Sequence, residues 1–462
     1  MDKIKVVVDL QYGSTGKGLI VGKIAEDEEP DTVITAWAPN AGHTYISKTG
    51  RKFIHTHLAN SIVSPMLKQV LLGPGSLINP MQLLEEIAAC ADLLKNVRIA
   101  IHPHAAVVTD RHIEEEAGPM TKIGSTKKGV GAAMIQRIRR DPDDLNIAAN
   151  CEGLSKYVVT VSTYRALLRE AEHVLVEGAQ GYGLSMYHGF YPYTTSRDVS
   201  LWQILADCGI PHDLLPTVMD LPDITVVGTC RTYPIRVANR FDTHGTQVGY
   251  SGPCYDDQLE ITFEEIGQKT ELTTVTKLPR RIFTFSRKQI GEAIEYNGAR
   301  EIFLNFVNYC KTEEEVQDIV ESIERSPNTF VRWIGLGPEY KDVYSMPQYT
   351  RMNSMRPLGP YTPTGRQKLS MRTAQPSRLS KSVTTCVALW GTAIKTPTLR
   401  SGRSTPTRSV AGLTSDSYRI ESPSGQTRVF RRAPLRTSYS SSTRRWASTL
   451  VTQEPRSKWV TS

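Results

Sequence analysis

Residues 9–20 read DLQYGSTGKGLI and join an apolar run to a helix pattern. Gly13, Gly16 and Gly18, with Ser14, Thr15 and Lys17 among them, can offer backbone N–H groups and an ammonium to a phosphate. The spacing is not that of the ordinary P-loop, which places four residues between its first glycine and a Gly-Lys-Ser/Thr ending. Here Lys17 is followed by Gly18, and Gln11 stands where the first glycine would be. Taken alone, the stretch reads equally well as a tight strand-to-helix turn with a solvated lysine.

Further chemistry-bearing stretches follow in order. APNAGHT (38–44) sets His43 between Gly42 and Thr44, where an imidazole can meet a phosphoryl oxygen or act as a general acid. After it come KIGSTKKGVGAA (122–133), VEGAQGYG (176–183), YPYTTSRD (191–198), RTYPIRV (231–237), ELTTVTKLPRR (271–281) and GLGP (335–338).

These stretches need a frame that holds them together. KIKVVVDL, DTVITAW, KQVLLG, NVRIAIHP, EHVLVEG, ITVVGTC and REIFLNFV are short β-branched runs of the kind buried in a parallel sheet. Helix patterns lie between several of them. NPMQLLEEIAACADLL has Asn79 as N-cap and Pro80 at its first position, and VSLWQILADCGI and TEEEVQDIVESIE are similar. The expected fold is α/β, with a large, mostly parallel central sheet and flanking helices. Several strands run into Gly-containing loops, and the carboxyl ends of parallel strands are where such sheets bind ligands.

The 462 residues carry a formal net charge of +8, but unevenly. Residues 353–462 hold 19 Lys/Arg against 3 Asp/Glu, so residues 1–352 are mildly acidic. The text after 352 is rich in Ser, Thr, Arg and Pro without a sustained period, which buries too little apolar surface to offset ordering entropy. We therefore expect a catalytic domain over 1–352 and a disordered basic tail over 353–462. Nucleic acid would be a partner only through that tail. The seven cysteines form no C-x-x-C pair, which fits a reducing compartment and excludes a structural zinc site of that kind. No run reaches a membrane span, and the strand pattern begins at residue 3, so neither a membrane partner nor a signal peptide is expected.

Over about residues 3–345 the ordered motifs together resemble the adenylosuccinate synthetase family, whose members read W-G-D-E-G-K-G where this chain has Tyr12 to Gly18. The family also shares N-x-G-H-T, I-G-[ST]-T, E-G-A-Q-G, Y-P-Y-x-T-S and a T-T…R-R loop. The resemblance implies a carbon–nitrogen ligase. A nucleoside triphosphate phosphorylates the 6-oxygen of a purine nucleotide, and the amine of L-aspartate then displaces that phosphate. Magnesium is the implied cofactor, with Ser14 and the Gly42 carbonyl as its protein ligands.

It further implies His43 as acid and Ser14 and Lys17 as its catalytic companions. Thr15, Gly16, Lys17, Gly18, Gly42, His43, Thr44, Arg280, Asn308, Gly335, Gly337 and Pro338 would hold the triphosphate. Ser14, Asn40, Ser125, Thr126, Gln180, Thr195 and Val237 would line the nucleotide substrate. Arg140 would be lent across a homodimer interface to that same site. Thr273, Thr274, Val275, Thr276, Lys277 and Arg280 would take aspartate. The implied location is cytoplasmic, in the host cell if the chain is phage-encoded.

Three departures redirect the substrate. The family's catalytic base, an Asp, is Ser14 here. A hydroxyl is a poor base at neutral pH, but it is smaller, uncharged and able to donate or accept. That leaves room for an amino group at purine C2. The frame resembles a phage branch of the family that works on dGMP in place of IMP and supplies 2-aminoadenine for viral DNA. Two routes for loss of the N1 proton stay open, through Ser14 with a water or through the phosphate. LNFVNY puts Phe306 and Asn308 where the family has the Lys and Asp of its guanine-reading strand, which favours ATP over GTP. With Arg280 and Arg281 anchoring the loop, a ribose-reaching arginine becomes Leu278, which fits a deoxyribose. The alternatives are an ordinary IMP- and GTP-dependent synthetase, or a non-catalytic nucleotide-binding protein using its basic tail.

Overall fold

The computed structural model describes residues 1–116, 127–215, 224–273 and 277–346 in full. It adds the backbone of 217–218, 221–222, 417–421 and 427–431. Nine strands form the central sheet: β1 (Lys3–Asp9), β2 (Thr32–Thr35), β3 (Gln69–Leu72), β4 (Arg98–Ile101), β5 (His173–Glu177), β6 (Thr225–Arg231), β7 (Glu301–Asn305), β8 (Phe330–Gly335) and β9 (Val343–Ser345). Their order is β9-β8-β7-β6-β1-β5-β2-β3-β4. Every pairing is parallel except that of the edge strand β9 with β8. All seven runs expected as strands are in this sheet.

Alternation along β1 divides its side chains between two cores. Ile4, Val6 and Val8 join one, with Leu167, Val176 and Ile302, while Val7 joins the other, with Ile20, Val33 and Leu175. Each such fully buried aliphatic side chain contributes roughly 1.5–3 kcal/mol relative to exposure. The sheet is thus covered on both faces, as a parallel sheet requires.

Helix α1 (Lys17–Glu28) is buried from Lys17 to Ala25. It begins without a side-chain cap, at Gly16 with φ 94°. Its first N–H groups therefore remain available at the carboxyl end of β1. Helix α2 (Pro80–Ala89) starts where expected, with the Asn79 side chain accepting from the Gln82 N–H at 3.2 Å. Helix α3 (Val130–Arg139) carries Arg140 at its end.

By contacts the chain divides into Met1–Lys395 and Thr396–Ser462. Within the basic segment, Ser417–Glu421 pairs antiparallel with Thr427–Arg431, a regular element that bulk composition did not announce. Its signal is local: SYRIE and TRVFR flank SPSGQ, an apolar–polar alternation around a turn-forming stretch.

Candidate active site

The loops after β1, β2, β5, β6 and β7, all carboxyl ends, border one cleft of about 770 Å³. At its floor, the turn after β1 places three residues at positive φ: Gly13 (87°), Ser14 (56°) and Gly16 (94°). Successive N–H groups in such conformations form an anion-binding concavity. Ser14 adopts the left-handed region, which is uncommon outside glycine and a mark of a constrained functional turn.

Asp9, the last residue of β1, organises that turn. Its fully buried carboxylate accepts from the Thr15 hydroxyl (2.5 Å), Lys17 Nζ (2.9 Å), and the N–H groups of Gln11 (2.9 Å) and Gly13 (3.2 Å). Lys17 also donates to the Gln180 carbonyl at 2.7 Å. Asn305, at the end of β7, completes the support: its amide donates to the Thr15 carbonyl at 3.1 Å. A Cβ on Gly16 would lie 2.2 Å from that amide nitrogen, so the close approach requires glycine here.

His43 enters from the side. Its Nδ1 lies 2.6 Å from Oε1 of Glu177, whose other oxygen accepts from the Asn60 N–H at 3.0 Å. The Glu177 carbonyl takes the Trp37 indole N–H at 2.7 Å, and the Trp37 ring lies tilted against His43, with centroids 4.1 Å apart. The imidazole is therefore held at one nitrogen and one face, with Nε2 left to the cleft.

Across the cleft, Arg280 donates to the Ser14 hydroxyl at 3.2 Å. Burial lowers the Arg280 pKa, Glu271 opposes the shift and Arg231 adds to it. Arg281 turns away to Glu260 and to Ser251 and Gly252. Gln180 donates to Asn40 Oδ1 at 3.1 Å, so two of the expected nucleotide-lining residues brace each other.

The expected residues mostly converge. Ser14 to Gly18, Gly42, His43 and Thr44 line one part of the cleft, and Asn40, Gln180, Thr195 and Val237 another. Thr273, Arg280, Asn308, Gly337 and Pro338 also line it. Gly335 does not: it packs on the Asn305 side chain behind the cleft. Lys277 is exposed and outside the lining, and Arg140 lies exposed at the end of α3, away from the cleft of its own chain. Ser125, Thr126, Thr274, Val275 and Thr276 lie outside the described residues.

Several functional residues had escaped the motif reading. Asp9 opens DLQYGSTGKGLI, Asn305 stands in LNFVNY and Glu177 in VEGAQG, but none of the three carried a role by its residue type and spacing. Glu116 also lines the cleft, its buried carboxylate accepting from the N–H groups of Gly129 (2.8 Å), Gly131 and Ala132 (3.3 Å) at the start of α3. Among the described residues no cluster of His, Cys, Asp and Glu could hold a metal by itself. The Ser14 hydroxyl, in the turn after β1, and the Gly42 carbonyl, in the loop after β2, are neutral, and the Asp9 carboxylate is saturated by donors. This donor set fits a small hard cation whose charge is balanced by substrate phosphates.

A family model described as adenylosuccinate synthetase matches residues 6–147 and 143–317. The N6-succino-2-amino-2′-deoxyadenylate synthase of Acinetobacter phage SH-Ab 15497 is 48% identical over 364 residues, covering 73% of this chain and 92% of that one. The adenylosuccinate synthetase of Archaeoglobus fulgidus is 30% identical over 358 residues, covering 74% and 97%. The solved succinoaminodeoxyadenylate synthetase of cyanophage S-2L, bound to dGMP and to dATP as an energy donor, superposes with TM-score 0.68 at 43% identity. That match covers 75% of this chain and 95% of the other.

Proposed function

The chain belongs to the adenylosuccinate synthetase family, and from that premise we infer that it joins L-aspartate to the 6-position of dGMP at the expense of ATP. The products are 2-amino-2′-deoxy-N6-succinyladenylate, ADP and phosphate. The observation that carries the choice of dGMP is Ser14, a small neutral hydroxyl at the position of the family's aspartate. The phage relatives named above, at 43–48% identity, bear the name of that activity.

In the first step the γ-phosphoryl group of ATP passes to O6 of dGMP, the N1 proton goes to a water at Ser14 or to a phosphate oxygen, and ADP is released. In the second, the aspartate amine adds at C6, the O6 phosphate departs and the amine gives up a proton. The positive-φ turn at Gly13 to Gly16, the N–H groups opening α1 and Lys17 hold the phosphates. His43 is the acid at the transferring group: Glu177 accepts its Nδ1–H, and the imidazolium form donates from Nε2. Asn40, Gln180, Thr195 and Val237 bind the nucleotide, with Ser125 and Thr126. Thr273 to Lys277 and Arg280 take aspartate. Support for that subsite comes from Arg280, which already reaches Ser14 at the centre of the cleft.

Gly42 and Ser14, with substrate phosphates, would hold Mg²⁺, which would supply charge neutralisation for the phosphoryl transfer. Asn308 reads the donor base with both a donor and an acceptor, which suits adenine and disfavours guanine's paired donors. Arg140 serves the cleft of a second copy in a homodimer, a reading supported by its exposure at the end of α3. No described helix is long and apolar enough to cross a membrane. We place the enzyme in the cytoplasm, with its substrates.

The test is product analysis. Chain supplied with ATP, Mg²⁺ and aspartate should convert dGMP to the succinylated nucleotide, with one ADP per product. Conversion of IMP but not dGMP would replace this reading by the ordinary synthetase.

A further inference from the structure

Arg231 ends β6 and is fully buried, yet no step above uses it. Its guanidinium touches three parts of the cleft wall at once. One face lies on the Phe306 ring at 3.7 Å and reaches the Tyr309 ring at 5.7 Å. Its terminal nitrogens take both oxygens of Glu271, at 2.5 and 3.3 Å. Nη1 also donates to the Ser14 carbonyl at 3.4 Å. The Arg231 backbone is gripped from both sides by the Gln11 amide, at 2.9 and 3.1 Å.

Each contact leads to a different substrate. Phe306 and Tyr309 line the cleft beside Asn308, where the donor base is read. Glu271 stands at the neck of the 273–277 loop: its carbonyl accepts the Arg280 N–H at 2.9 Å, and Leu272 bridges Pro279. The Tyr309 hydroxyl donates to the same Glu271 carboxylate at 3.0 Å, closing a circuit between donor wall and loop neck. The Ser14 carbonyl belongs to the positive-φ turn that faces the reacting atoms.

We propose that Arg231 is a positioning residue that ties the donor-base wall to the neck of the aspartate loop and to the Ser14 turn, so that ATP and aspartate each bind more tightly when the other is present. The proposal rests on the subsite assignments given under the proposed function.

The chemistry of the contacts calls for arginine. A planar guanidinium stacks on an aromatic face while its fork meets a carboxylate with two parallel bonds; an ammonium cannot do both. Burial would raise the Glu271 carboxyl, but the charge and hydrogen bonds of Arg231, with help from Tyr309 and Arg280, outweigh it and hold the group below its ordinary value. The loop neck thus carries a fixed charge that Arg231 meets with a fork. Filling the donor wall constrains Phe306 and Tyr309, hence Arg231, hence Glu271. By linkage the effect is reciprocal.

The experiment is calorimetric titration of the full chain, loaded with dGMP and Mg²⁺, with β,γ-imido-ATP in the absence and presence of saturating aspartate. The native chain should bind the analogue at least about fivefold more tightly with aspartate, the scale of an ordinary coupling energy. Arg231→Lys should abolish that difference and raise KM for both ATP and aspartate about tenfold, with KM for dGMP within about twofold. Glu271→Gln should raise KM for aspartate, and adding it to Arg231→Lys should cost little more, since the two act through one contact. Unchanged coupling in Arg231→Lys overturns the proposal. So does a change confined to one substrate, or a lowered melting temperature with unaltered coupling. A native chain that turns over IMP alone would instead overturn the substrate assignment, while the coupling is still read with IMP in place of dGMP.

Discussion

The Nδ1 nitrogen of His43 lies 2.6 Å from Oε1 of Glu177, a carboxylate with no exposed surface. The contact fixes which ring nitrogen faces the cleft. Glu177→Gln should therefore lower kcat by about 10- to 100-fold, approaching the scale of a general acid's own contribution, with KM for dGMP and ATP little changed. Nitrogen NMR of the His43 ring should show mixed tautomers in the variant. A rate within about threefold of native would leave Glu177 with no part in the acid's function.

The same reasoning from close packing bears on Gly16. Its φ of 94° is one that L side chains rarely adopt, and an added Cβ would lie 2.2 Å from the Asn305 amide. Gly16→Ala should destabilise the fold by more than about 1 kcal/mol and raise KM for ATP, because the phosphate turn must shift to make room. Denaturant midpoints and substrate titrations measure the two effects together. An unaltered KM would mean that the turn does not hold the phosphates.

How much of this was legible beforehand depended on the scale of the signal. β1 is visible because Ile4 and Val6 to Val8 make a β-branched run, and α2 because Asn79-Pro80 announces its start. His43, Lys17 and Gln180 stood out within ordered motifs. Asn305 and Glu177 did not, because each acts through a partner distant in sequence: Asn305 meets Thr15 across 290 positions and Glu177 meets His43 across 134. No local period encodes such pairs. Gly335 shows the converse: it sits inside a convincing stretch but packs on the Asn305 side chain behind the cleft wall.

Acid should weaken the fold through two buried histidines. Burial pushes His57 down to about 3, and burial likewise takes His55 down to about 4. Both groups stay neutral in the folded chain but protonate near 6.5 once unfolded. The unfolded state therefore binds more protons, so stability falls as pH drops below about 6.5, and the loss levels off only below the folded values. At pH 5 each should cost roughly 2 kcal/mol. His57→Gln should flatten the fall in urea midpoint between pH 7 and 5. An equal slope in the variant would remove His57 from the account.

Asn308 lines the cleft, and Phe306 beside it is fixed against Arg231. An amide there satisfies adenine's N1 and amino group but leaves guanine's N1–H and amino group short of an acceptor. ATP should exceed GTP as donor by about tenfold, the scale of one unmatched buried hydrogen bond. Asn308→Asp should shift the ratio toward GTP. A ratio untouched by the substitution would move the donor base elsewhere.

The central claim is that the Ser14 hydroxyl, in a turn held by Arg280 and Arg231, makes room for the purine 2-amino group. The most direct measurement is kcat/KM for dGMP and for IMP, with ATP, Mg²⁺ and aspartate, in the native chain and in Ser14→Asp. The native ratio should favour dGMP by about tenfold or more, and the aspartate should crowd the amino group and depress the dGMP rate selectively, as a misfit in a built polar site does. A native chain that treats IMP as well as dGMP, or a Ser14→Asp variant with its dGMP rate intact, would contradict the account.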